Sequence, residues 1–198
     1  MSPYEPQAPD RTARTADAAP DSIGRLARII AQAARFEGDT QGMDKGEQAA
    51  LARLDPDGDL RPHQVAALTR ALLLADIDPA EWGAERWQEQ WRRWALIAHG
   101  MALAGHDPSC GLGTQLHSAK VAESRVTKLL TARNDAFRQL LPRLIRLLKS
   151  QETAPNWHQL GTLVLNEGRN EPLAERIRLH IASDYYRAER RSAEEPAT

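Results

Sequence analysis

Lys120–Ser150 reads KVAESRVTKLLTARNDAFRQLLPRLIRLLKS, and its apolar residues recur at intervals of three and four. That spacing is helical, and Asn134-Asp135 reads as a break between two helices. In the second, Phe137, Leu140, Leu141, Leu144, Leu147 and Leu148 share one arc at about 100° per residue. Arg138, Arg143, Arg146 and Lys149 fall on the opposite arc. Pro142 removes one ladder hydrogen bond and predicts a slight kink. In the first helix, Val126, Leu129 and Leu130 point inward, while Arg125 and Lys128 point away.

The rest of the chain carries the same period. Leu and Ala dominate, and only four Val occur in 198 residues, a composition that favours helices over sheets. SIGRLARIIAQAARF sets Ile23, Leu26, Ile29, Ile30 and Ala33 on one face. Asp44 with Glu47 has capping-box spacing and opens KGEQAALARL. DPDGDLRP is a loop; its Gly and its twelfth position do not suit a calcium site. HQVAALTRALLLAD follows as a helix. AEWGAERWQEQWRRWALIAHGMALA reads as the longest helical stretch, with Trp87, Trp91 and Trp94 on one face. That stripe is read as core in preference to a base-stacking platform. HDPSCGLGTQLHSAK reads as a loop with at most one helical turn. Asn156 caps a helix from Trp157 to about Glu167, and Asn170 with Pro172 starts LAERIRLHIASDYYRAERR.

The expectation is an all-α, two-lobed bundle of about eight helices. Its parts are a flexible tail (1–20), an N-terminal lobe (21–108), a C-terminal lobe (109–191) and a frayed tail (192–198). One cysteine excludes an internal disulfide framework. His99, His106, Cys110 and His117 match no zinc spacing, and no cofactor is expected. No signal-peptide core or membrane-length apolar run is seen, so a soluble, cytoplasmic protein is expected. There is no His-Glu-x-x-His, nucleophile elbow or phosphate loop, so no enzyme is expected.

Charge is the informative feature. The formal net charge is −1, yet Lys120–Ser150 holds eight basic and two acidic residues, leaving −7 for everything outside it. Burying the leucines forces the cations onto a common surface with few interleaved acids. A phosphate backbone is the natural counter-charge, and no groove-reading motif accompanies it. The alternative is a protein–protein adaptor whose basic face docks an acidic partner.

Several pieces in order resemble one family: Leu112-Gly113 as a turn, Glu123-x-Arg-Val-x-x-Leu-Leu through Leu130, Arg146-Leu-Leu-Lys149, Asn156-Trp157 and Asp184-Tyr185-Tyr186. KGEQAALARLDP, Lys45 to Pro56, adds a further match. Together, over about residues 23–190, they resemble the CasB family, the small subunit of the type I-E CRISPR surveillance complex Cascade. One departure is LVLNEGRN, where the family often carries Trp, so a packing contact there is expected to differ.

The resemblance implies a non-catalytic subunit in antiviral defense. Its partners would be crRNA and target DNA through their backbones, the CasC backbone subunit, the CasA large subunit and a second copy of itself. It would stabilise the target strand and the R-loop. The nucleic-acid-binding residues so expected are Lys45, Arg53, Lys120, Arg125, Lys128, Arg133, Arg143, Arg146 and Lys149. For Arg125 a salt bridge between lobes competes with that role, and for Arg133 capping of its helix does.

Overall fold

The structure, a computed structural model, describes residues 20–35 and 42–194. Among these it contains nine α-helices and no strand: α1 (Pro20–Arg35), α2 (Lys45–Ala52), α3 (Pro62–Leu74), α4 (Trp87–Ala104), α5 (Leu112–Ser118), α6 (Glu123–Thr131), α7 (Asn134–Ser150), α8 (Trp157–Asn166) and α9 (Glu171–Glu194). The all-α expectation holds. The tail expected over 1–20 lies outside the described residues except for Pro20, which opens α1. At the other end α9 runs on through Glu194.

Local signals act where they were read. The Asp44 carboxylate accepts from the Glu47 N–H at 2.7 Å, and Glu47 accepts from the Asp44 N–H at 2.9 Å, closing the capping box of α2. Asn156 Oδ1 accepts the His158 N–H at 3.0 Å and starts α8. Asn170 Oδ1 accepts the Leu173 N–H at 3.3 Å beside α9.

Four boundaries depart from expectation. The Trp-rich helix begins at Trp87; upstream, Pro79–Glu81 makes a single 3-10 turn capped by Asp78. The longest helix is α9, with 24 residues. The break within Lys120–Ser150 falls at Ala132-Arg133, and Asn134 already opens α7 with φ at 52°. Finally, the segment read as a loop contains the seven-residue helix α5, and Leu112-Gly113 is its first turn rather than a free turn. Glycine weakens a helix, so sequence reasoning underrates this one. Packing compensates: a Cβ at Gly113 would lie 2.0 Å from the Ile181 carbonyl oxygen, so α5 crosses α9 at backbone contact.

A single apolar core runs from Ile23 to Tyr185. Its centre is α4, which packs on α1, α2 and α3 and also on α7 and α8. Ile23, Leu26, Ile30 and Ala33 are buried as the periodicity requires. In LVLNEGRN, Leu163, Val164 and Leu165 are buried without a tryptophan. Among the described residues no helix is long and apolar enough to cross a membrane.

Candidate nucleic-acid interface

Helix α7 buries Phe137, Leu141, Leu144, Ile145 and Leu148 and turns Arg143, Arg146 and Lys149 outward. Leu140 and Leu147 are half-buried at the flank of the core. In α6, Val126 and Leu129 are buried while Arg125 and Lys128 are exposed. The two helices enclose a groove of about 540 Å³, lined on its cationic side by Arg125, Lys128 and Arg143 and on its apolar side by Leu140, Leu144 and Leu147.

From Arg143 the basic residues step by three, and each step falls about 60° short of a full helical turn. The row therefore winds diagonally across α7, away from the α6 groove and towards α4. The state of His99 on α4 reflects that course. Burial pushes the His99 imidazole below its ordinary range, and the nearby charges of Arg146 and Lys149 push the same way. The Leu51 carbonyl, 3.1 Å from His99 Nδ1, and Asp55 oppose the shift. Arg146, Lys149 and Asp55 thus all act on one buried ring. Arg53, the exposed residue that ends α2, lies two positions before Asp55.

Among the described residues, no carboxylate lies within 4 Å of Arg53, Lys120, Arg125, Lys128, Arg143, Arg146 or Lys149, and all seven are exposed. Arg125 therefore forms no salt bridge among the described residues. Lys120 sits in a left-handed turn between α5 and α6, with φ at 53°. Lys45 is exposed at the opposite end of α2 from Arg53.

Arg133 stands apart from this surface. Its Nη1 donates to the carbonyls of Leu130 and Ala132, both at 2.9 Å, and so caps α6. Its Nη2 meets Glu175 at 2.5 Å and its Nε lies 3.9 Å from Glu171. Arg138 is half-buried and paired with Asp135.

Sequence reasoning missed the residue that organises this corner. Arg178 is 3% exposed and bonds Glu171 at 3.2 Å and Glu175 at 2.8 Å. Buried Glu167 lies 3.9 Å from the Arg178 guanidinium and accepts the Asn134 N–H at 2.7 Å, which holds the start of α7. The signal was present: Glu171, Glu175 and Arg178 recur at helical spacing on one face of α9. Arg93, too, is fixed, donating to the Val164 and Glu167 carbonyls and pairing with Glu89.

The tryptophan stripe divides. Trp94 is core, Trp91 is half-buried against the core, and Trp87 is exposed and stacked on Trp91. Among the described residues no group of three His, Cys, Asp or Glu could hold a metal ion. His106 has another partner, accepting the Trp157 N–H at 3.1 Å.

A family model described as CRISPR-associated protein Cse2 matches residues 47–186. The chain belongs to the Cse2 family. The matched span, well over half the chain, contains the α6–α7 groove, the Arg143–Lys149 row, Asn156-Trp157 and Tyr185-Tyr186. Cse2 is the CasB small subunit of type I-E Cascade, so the resemblance carried by those residues is correct. A Cse2 protein is a structural, non-catalytic member of the Cascade complex, in the company of other Cas subunits and crRNA. No curated protein and no solved structure matches the chain.

Proposed function

We propose that this Cse2 subunit holds nucleic acid by its sugar–phosphate backbone along the α6–α7 surface, and so stabilises the target strand and the R-loop within Cascade. The observation that carries the proposal is the uncompensated row: Arg125, Lys128, Arg143, Arg146 and Lys149 are exposed on adjoining helices with no carboxylate beside them among the described residues. Lysine and arginine grip phosphates through charge and forked hydrogen bonds, without reading base edges. A guide-directed complex needs nothing more from such a subunit, because pairing with crRNA supplies the sequence information. R-loop opening is nearly balanced energetically, so a few backbone contacts decide its lifetime.

In this reading Lys120, in the turn before α6, and Lys45 and Arg53, at the two ends of α2, add further backbone contacts. Arg133 joins only by exchanging Glu171 and Glu175 for a phosphate. CasC, CasA and a second copy of the subunit are the protein neighbours in this reading.

The test is Cascade reconstituted with Arg143, Arg146 and Lys149 changed to Glu. R-loop lifetime should shorten most at low salt, and the difference from the parent should shrink as salt rises, because salt already screens the contacts that the parent makes. An unchanged lifetime across salt concentrations counts against the proposal. An unchanged lifetime with a missing protein subunit would instead mark the basic face as a dock for an acidic protein.

A further inference from the structure

A second segment carries an excess of acids and does not depend on the basic row. Between Asp76 and Glu89 there are five acidic residues and one basic residue, Arg86. Three of the acids are engaged: Asp76 faces Arg25 at 3.7 Å, Asp78 accepts the Ala80 N–H at 2.8 Å, and Glu89 holds Arg93 at 2.5 Å. Glu81 and Glu85 are exposed, and among the described residues no cation lies within 4 Å of either.

The same segment carries an aromatic cluster. Trp87 lies on Trp91 with ring centroids 5.4 Å apart and planes 9° from parallel. Trp82 meets Trp91 edge-on at 6.4 Å. Trp82 and Trp91 pack on the core, whereas Trp87 is 43% exposed. Trp87 is thus backed on one side and open on the other, so little rotamer freedom remains to be lost when something covers it.

We propose that Trp87, with exposed Glu81 and Glu85 six and two positions before it in the chain, is a docking anchor for another protein subunit of Cascade that presents an arginine or lysine. A cation over an indole face is attracted by the ring quadrupole, and exposed carboxylates on the same segment add to that attraction. Tryptophan and arginine are also the side chains on which interface energy concentrates. The acids argue against a nucleic-acid strand here, because a phosphodiester would meet like charge.

The test is reconstitution of Cascade with full-length Trp87→Ala, Trp87→Phe and Glu81→Lys/Glu85→Lys variants, each first checked for native circular dichroism and melting. Incorporation of the Trp87→Ala and double-Lys subunits should weaken roughly ten- to thirtyfold, the range of an aromatic hot spot. Trp87→Phe should retain most of it, and affinity of the isolated chain for single-stranded DNA should be unchanged in Trp87→Ala. Full incorporation of the Ala and double-Lys variants would overturn the proposal. Loss of DNA affinity in Trp87→Ala would overturn it too, by making the ring a base-stacking platform. Neither result bears on the α6–α7 row, which the Arg143, Arg146 and Lys149 variant tests separately.

Discussion

Gly100 of α4 and Trp157 of α8 touch so closely that a Cβ on Gly100 would lie 2.2 Å from Trp157 Cζ2. Trp157 is fully buried, and its indole N–H donates to the Gly105 carbonyl at 2.9 Å. One missing methyl group and one ring therefore join the first half of the chain to the second.

Gly100→Ala should destabilise the protein by about 1–3 kcal/mol or more, the usual cost of overpacking a filled core. Chemical denaturation measures it. The neighbouring backbone is helical and tolerant of alanine, so a neutral result would mean that the Trp157 ring can move aside.

Arg178→Ala should cost about 3–5 kcal/mol, because it leaves buried Glu167 without its cation and frees Glu171 and Glu175. Exposed Arg190→Ala is the control, expected within about 0.5 kcal/mol of the parent. Thermal melting of both distinguishes a buried network from surface pairing.

Each phosphate contact removed from the α6–α7 surface should lower the slope of log K against log salt by about 0.7 for single strands and about 0.9 for duplex. Single Arg125→Gln, Lys128→Gln and Arg143→Gln variants, titrated over a salt series, count the contacts. An unaltered slope in all three would remove the groove from the interface.

Stability should fall as pH drops through the ordinary histidine range. His99 and His106 are both held below that range, chiefly by burial. The unfolded chain takes up their protons first, so stability is full above the unfolded pKa near 6.5 and is lost as pH falls below it. Melting between pH 7.5 and pH 5 measures the loss, and His99→Gln should flatten part of it. Changing Arg146 and Lys149 to Gln should raise the His99 pKa, which NMR titration of the imidazole reads directly.

Much of the fold was legible because the deciding forces are local or periodic. Asp44 and Asn156 cap helices with their own side chains, and the leucines of α7 point inward because about 3.6 residues make a turn. The exposed cations follow from the same arithmetic: if one arc of α7 is core, Arg143, Arg146 and Lys149 must face out. Helix α5 was missed for the complementary reason. Gly113 argues against a helix locally, and only the close crossing with α9 at Ile181 gives it a purpose.

The candidate site divides in the same way. Arg125 and Arg133 look alike in sequence, each a basic residue on or beside α6. Glu175 lies 42 positions along the chain from Arg133, and nothing in the local pattern brings them together. Likewise, Trp87, Trp91 and Trp94 share helical spacing, but which of them is covered depends on what packs over the start of α4.

The amino-acid sequence by itself determined the helical class, the caps and the outward basic arc, because each is fixed by residues within a few positions of one another. Only the tertiary structure decided which cations keep no carboxylate, which tryptophan stays open and why glycine must stand at 100 and 113. Those outcomes depend on contacts between distant segments, where a single ångström of approach separates a close fit from a clash.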